Sequence, residues 1–232
     1  MQKSDGINGI QASILRELFK QDGLRFAQLN VEKVPSDQFS YHLRQLIKYG
    51  LIEKSSEHTY SLSGRGKTRT IMLYPNENGF IEQGFLAVRI ILSKTQKEQK
   101  FYLMQKRVTV PYQGTYATPG DKILFGEDVH VAARRVMKEQ SNLTCDMQLR
   151  GVRHIKDNYQ NEIVQDKYFF VFSATNPRGT LQTNNPSKAC MWMSYDEIKS
   201  SGLSIHGGLE LLQMVDSDHL QFDEQTYTVD HY

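Results

Sequence analysis

The chain has 232 residues, of which 39% are apolar, 23% charged and 10% aromatic, with a mean hydropathy of −0.53; this balance supplies one or two ordinary cores and excludes disordered, collagen-like and coiled-coil classes. No apolar run approaches the roughly 20 residues that span a bilayer, the first residues lack the apolar stretch of an export signal, and Cys145 and Cys190 are too few for a disulfide framework, so a cytoplasmic chain with two free thiols and no membrane association is expected. Charge is uneven: 11 Lys+Arg against 7 Asp+Glu up to Met72 give +4, and 17 against 19 beyond it give −2, which permits a polyanionic partner for the front third only.

Ala12, Ile14, Leu15, Leu18 and Phe19 recur at helical spacing until Asp22-Gly23 interrupts them, which predicts a first amphipathic helix. Residues 24–29 make a shorter turn around Phe26, and Pro35-Ser36-Asp37 opens a third helix. Its inward set is Phe39, Leu43, Leu46 and Ile47, and Gly50 ends it. Residues 51–54 and 59–62 read as short strands around the polar loop Ser55-Ser56-Glu57-His58, and Ser63-Gly64-Arg65-Gly66-Lys67 leads out. Pro75 and Gly79 in a segment without periodicity mark a boundary, dividing the chain into 1–72 and 73–232.

Behind that boundary, residues 80–92 (an apolar run broken by Arg89) and 101–106 alternate as strands joined by a hydrophilic turn at 94–100. A loop and a helix follow. Residues 149–155, 168–174 and 189–193 are further strands and 195–200 and 208–215 helices, so the class is mixed α/β. The acidic tail from Asp216 is either a last strand or unstructured.

Three helices followed by a β-hairpin, with FSYHLRQLIKYGLIEK and YSLSGRGK, resemble the winged helix-turn-helix domain of bacterial and archaeal transcription regulators. The resemblance implies that the third helix enters the major groove of double-stranded DNA. Ser36, Gln38, Ser40, Tyr41 and Arg44 would then approach bases, while Lys48, Arg65 and Lys67, on helix and wing, would meet phosphates.

Residues 116–143, YATPGDKILFGEDVHVAARRVMKEQSNL, resemble a Nudix box. Glu127 takes its first Glu position, Arg135 its Arg, Met137 and Leu143 its apolar positions, and Glu139 the first of its Glu-Glu pair, after the entry Tyr116-Ala117-Thr118-Pro119-Gly120. The resemblance extends over residues 80–215 and implies a Nudix α/β/α sandwich with a mixed sheet, in which Thr118, Gly120 and Asp121 would contact a phosphorylated ligand. Four positions depart from the pattern: Asp121 replaces a Gly, Val136 a Glu, Gln140 the second Glu of the pair, and Asn142 a late Gly.

In active family members the carboxylates at 136, 139 and 140 converge on Mg²⁺. Here Glu139 alone survives, so Mg²⁺ is expected to bind weakly, at Glu139, Glu127 and a relocated Asp121, and Glu127 and Glu139 are the remaining catalytic candidates. An arginine at 135 bridging Glu127 and Glu139 would equally well tie the loop to the helix. Asp157, Glu162 and Asp166 are candidates for an outlying acid on a loop near the site, and Asn142 can adopt the left-handed conformation that a helix end asks of Gly.

The expected architecture is therefore an N-terminal winged helix-turn-helix followed by a Nudix sandwich. Its implied function is that of a homodimeric DNA-binding transcription regulator responsive to a nucleotide or sugar phosphate, with a non-hydrolytic sensor domain. The alternative is a Nudix hydrolase that cleaves nucleoside diphosphate-linked substrates with Mg²⁺ on relocated ligands, the winged helix being an accessory. The best-known Nudix-containing regulators carry the winged helix after the Nudix domain, whereas here it comes first.

Overall fold

The computed structural model describes residues 9–72, 75–76, 79–80, 83–108, 112–185, 188–204 and 207–230. The chain divides into two compact units, Met1–Glu82 and Gln83–Tyr232; residues 73–74, where the sequence sets the domain edge, lie outside the described residues.

In the first unit α1 (Gly9–Lys20), β1 (Leu24–Arg25), α2 (Phe26–Leu29), α3 (Ser36–Lys48), β2 (Ile52–Lys54), β3 (Thr59–Leu62) and α4 (Gly64–Met72) follow in order. The strands form a small antiparallel sheet, β1-β3-β2. Three helices with this sheet are compatible with a winged helix-turn-helix. The core joins Ile14, Leu15 and Leu18 of α1 to Phe39, Leu43 and Leu46 of α3 and to Leu51, Ile52, Tyr60 and Leu62.

Two periodicity expectations fail at helix edges. Ile47 is 39% and Phe19 53% exposed, because each falls beyond the arc of its helix that meets the core, while His42 is buried in place of Ile47. The segment expected to lead out of the domain is instead α4. Its Gly66 lies so close to the chain that a Cβ there would sit 1.8 Å from the Leu51 carbonyl oxygen, so this glycine permits helix packing rather than a turn. Later in the same unit, β4 (Pro75–Asn76) pairs with β5 (Gly79–Phe80).

The second unit contains β6 (Phe85–Gln96), β7 (Gln99–Arg107), β8 (Tyr116–Ala117), β9 (Gly120–Lys122), α5 (Val129–Ser141), β10 (Thr144–Tyr159), β11 (Glu162–Arg178), β12 (Asn184–Asn185), β13 (Lys188–Ser194), α6 (Tyr195–Ser201), α7 (Gly208–Met214) and β14 (Gln221–Thr228). Among the described residues the main sheet runs β12-β13-β7-β6-β11-β10-β14, with β8 on β7 and β9 on β6. It is mixed: β6 is parallel to β11 and β10 to β14, and the other pairs are antiparallel.

Strand alternation sorts β6 between two cores. Val88, Ile90 and Leu92 pack with Ala132, Ala133, Val136 and Met137 of α5, whereas Ala87 and Ile91 pack with Ile198 of α6 and Leu211, Leu212 and Met214 of α7. The chain is thus a Nudix-type α/β/α sandwich in this unit, with α5 on one face and α6 and α7 on the other.

The acidic tail is a strand, held less by apolar burial than by charge. Arg153 of β10, almost wholly buried, pairs through Nε with Asp223 at 2.6 Å, donates to the Tyr227 hydroxyl at 2.7 Å and to the Gly207 carbonyl at 2.5 Å. Further along, His154 meets Asp166 at 2.8 Å and Glu224 at 3.1 Å, and Lys156 also reaches Glu224. No helix among the described residues is long and apolar enough to cross a membrane.

Candidate functional site

The box helix α5 buries Ala132, Ala133, Val136, Met137, Gln140 and Ser141 on one face. Asn142 caps its end in the left-handed conformation at φ 61°, as a short polar side chain can; its side chain also accepts from Lys138 and donates to the Thr180 carbonyl. Val136 is completely buried in the apolar cluster against the sheet. Gln140 is 7% exposed and clasps one residue of β9: its Oε1 accepts from the Gly120 N–H at 3.2 Å and its Nε2 donates to the Gly120 carbonyl at 3.1 Å. A carboxylate has no proton for the second bond, so the amide suits this latch better than the glutamate of the family pattern.

Arg135 gathers the two surviving glutamates. Its Nε and one terminal nitrogen donate to the two oxygens of Glu127 at 2.7 and 2.9 Å, the other terminal nitrogen reaches Glu139 at 3.1 Å, and the Lys122 carbonyl accepts a further bond. Glu127 in turn accepts from the Leu124 N–H at 3.0 Å. These bonds, the arginine's above all, pull the Glu127 carboxyl down to about 2 and raise the Arg135 guanidinium above its ordinary range.

Asp121, the expected relocated ligand, lies exposed on β9 and accepts from the N–H of Lys122. Among the described residues no three His, Cys, Asp or Glu side chains gather closely enough to hold a metal ion. The donor set therefore does not fit the Mg²⁺ that the box implies: one expected ligand position is core, one is a neutral latch, and Glu127 and Glu139 share a guanidinium.

A second constellation lies on the other side of the sheet. Two adjoining cavities, of about 30 and 190 Å³, share Arg89, Tyr112, Lys167 and Phe169. Thr118, Arg153, Asp157 and Leu211 line the smaller, and Phe85, Arg107, Gly120, Asp121 and Lys122 the larger. Of the residues that the sequence nominates for ligand contact, Thr118 thus stands at one cavity and Gly120 and Asp121 at the other. The Thr118 hydroxyl is buried and has no hydrogen-bond partner.

Arg89 shares a face with Ala87 and Ile91, away from α5. Its guanidinium lies 4.5 Å over the Phe169 ring and donates to the Thr118 carbonyl at 2.9 Å. It makes no ion pair among the described residues, and burial, with Arg107 close by, lowers its pKa to about 10, Asp121 offsetting part of that. Gly120 makes room for it, since a Cβ there would stand 2.7 Å from the Val88 carbonyl and 3.0 Å from Arg89 Nε.

Lys167 pairs with Asp157, which also accepts from the Tyr112 hydroxyl; burial depresses the lysine's pKa and Asp157 offsets part of that. Asp157 and Asp166 were expected on a loop with Glu162. All three are strand residues of the β10–β11 hairpin, because its turn tightens to Gln160 and Asn161. Sequence reasoning missed the cationic cavity. Its one visible signal is Arg89, a charge inside an otherwise apolar run.

On the first unit, Ser36, Gln38, Tyr41, Arg44 and Lys48 are exposed on α3 and Ser40 half-buried. Arg65 and Lys67 were expected on the wing; they are exposed in the first turn of α4 instead, and the turn between β2 and β3 is Ser55-Ser56-Glu57-His58.

The profile of the NUDIX domain matches residues 85–209, more than half of the chain, and the chain belongs to that family. Similar solved structures include the mutator MutT protein of Bacillus halodurans, at 22% identity and TM-score 0.52 over 64% of this chain and 93% of that one. Another is the NUDIX domain of NrtR from Shewanella oneidensis, solved with ADP ribose, at 15% identity and TM-score 0.50 over 64% and 95%. At such identities these likenesses establish the fold. No curated protein matches the sequence.

Proposed function

We propose that the chain is a ligand-responsive transcription regulator that binds duplex DNA as a homodimer through its first domain (1–72) and senses a phosphorylated metabolite with its NUDIX domain (73–232), with little or no hydrolysis. One observation carries this most: the box helix has given up its metal-binding positions, Val136 to the core and Gln140 to the Gly120 latch, while the same domain keeps a cation-lined cavity. A fold stripped of one and furnished with the other suits recognition better than turnover. The NUDIX domain of NrtR, solved with ADP ribose, offers a precedent for ligand binding on this fold.

Ser36, Gln38, Ser40, Tyr41 and Arg44 would read bases while Lys48, Arg65 and Lys67 hold phosphates, in a domain whose net charge is +4. Fluorescence anisotropy on promoter-region and random duplexes at two salt concentrations tests this. Reversing Arg65 and Lys67 to Glu should weaken all sequences alike, and Arg44→Ala should relax sequence choice at a cost of about 1–3 kcal/mol. Absence of any affinity at low salt would remove DNA from the account.

A further inference from the structure

The family holds its substrate phosphates through metal ions on the box helix, and the box helix of this chain cannot supply that. Positive charge is concentrated elsewhere. The larger cavity is lined by four cations, Arg89, Arg107, Lys122 and Lys167, and one carboxylate, Asp121. Asp157, bound to Lys167, is a second anion. The lining is predominantly cationic, which suits a phosphate group, about −1.5 to −2 as a monoester near pH 7.

Arg89 is the telling member, a half-buried guanidinium over Phe169 that makes no ion pair among the described residues, although Asp121 is near enough to act on its charge. A charge partly withdrawn from water is stabilised by an anion that joins it. Beside it the Thr118 hydroxyl is buried without a partner and lines the smaller cavity, which has room for a group about the size of one water molecule. Cavities of about 190 and 30 Å³ fall short of the roughly 300–1,000 Å³ that encloses a drug-sized ligand. They would enclose only part of a dinucleotide.

Taking the sensor role as given, we infer that the ligand is a small phosphate monoester, a singly phosphorylated sugar or polyol, bound without a divalent metal: the phosphate among Arg89, Arg107, Lys122 and Lys167, and a hydroxyl at Thr118. Direct guanidinium and ammonium contacts replace the metal bridge, on the sheet face that α5 does not cover.

Calorimetric titration of the full chain tests this with glycerol 3-phosphate, ribose 5-phosphate and glucose 6-phosphate, their unphosphorylated parents, and ADP-ribose, each in EDTA and in Mg²⁺. At least one ester should bind about tenfold or more tighter than its parent and than ADP-ribose, with an affinity that EDTA leaves unchanged. Arg89→Gln should abolish binding. Because Arg89 is packed against Phe169, exposed Lys122→Gln serves as the second variant, weakening the ester about three- to tenfold at unchanged melting temperature. Binding that requires Mg²⁺, or ADP-ribose preferred over every ester, overturns the metal-free monoester and leaves the sensor role standing. Silence toward every phosphorylated compound overturns both.

Discussion

Around Arg135 every guanidinium nitrogen has an acceptor, from Glu127, Glu139 or the Lys122 carbonyl. Around Arg89 there are one carbonyl, one aromatic face, a second arginine and, near but not in an ion pair with it, the Asp121 carboxylate. Both clusters contain arginine on a folded framework, yet one is closed on itself and the other has charge left over. A charge that its neighbours fully satisfy is holding structure together, and one they satisfy only in part is a candidate for binding a ligand. In this NUDIX domain the closed cluster occupies the family's catalytic stretch, and the open one lies across the sheet.

The widest break in that contrast would be turnover. Assayed with Mg²⁺ or Mn²⁺ on ADP-ribose, sugar nucleotides and nucleoside triphosphates, the protein should fall about a thousandfold below an active family member, equivalent to roughly 4 kcal/mol of lost transition-state stabilisation. Turnover near 1 per second would mean that the carboxylates regroup around a metal.

Smaller in scale is Val136→Glu, which returns a family carboxylate to a fully buried position. It should cost about 3 kcal/mol and lower the melting temperature by roughly 6–12 °C, read by calorimetry. Gln140→Glu sets a carboxylate against the Gly120 carbonyl and should cost about 2 kcal/mol. If either variant equals wild type in stability, that side chain is not the structural element described.

The least effect comes from acid. Glu127 has its pKa lowered from 4.5 to about 2, so the stability it lends through Arg135 is complete above about pH 4.5 and is lost as pH falls through about 2. Melting temperatures of wild type and Glu127→Gln should therefore differ most at neutral pH and converge near pH 2. A constant gap would show that the carboxylate's charge is not what matters.

The sandwich was legible because its elements obey local rules. Apolar spacing marks α5 and α3, and Asn142 at the end of α5 takes the left-handed conformation expected of it. Turns defeated the sequence where glycine was absent: Lys97 and Glu98, and Gln160 and Asn161, take positive φ in two-residue hairpin turns, so the strands run longer than expected. Gly64 and Gly66 argued for a loop although tertiary contact makes them a helix. The clamp of Glu127, Arg135 and Glu139 could be anticipated from spacing on one helix. Arg89, Arg107, Lys122 and Lys167 could not, since four charges on separate strands meet only after the sheet is assembled.

The pairing of Arg153 with the last strand also imposes an order in time. Its partners Asp223 and Tyr227 lie far along the chain, whereas the β10–β11 hairpin closes through a turn of two residues. Local hairpins form within microseconds, and distant parallel pairings come later. The β10–β11 hairpin should therefore form with the guanidinium still hydrated at its edge, before β14 docks. Pulsed hydrogen exchange during refolding should protect the amides beside the Gln160–Asn161 turn before that of Gln225, and the delay between them measures the arrival of the last strand.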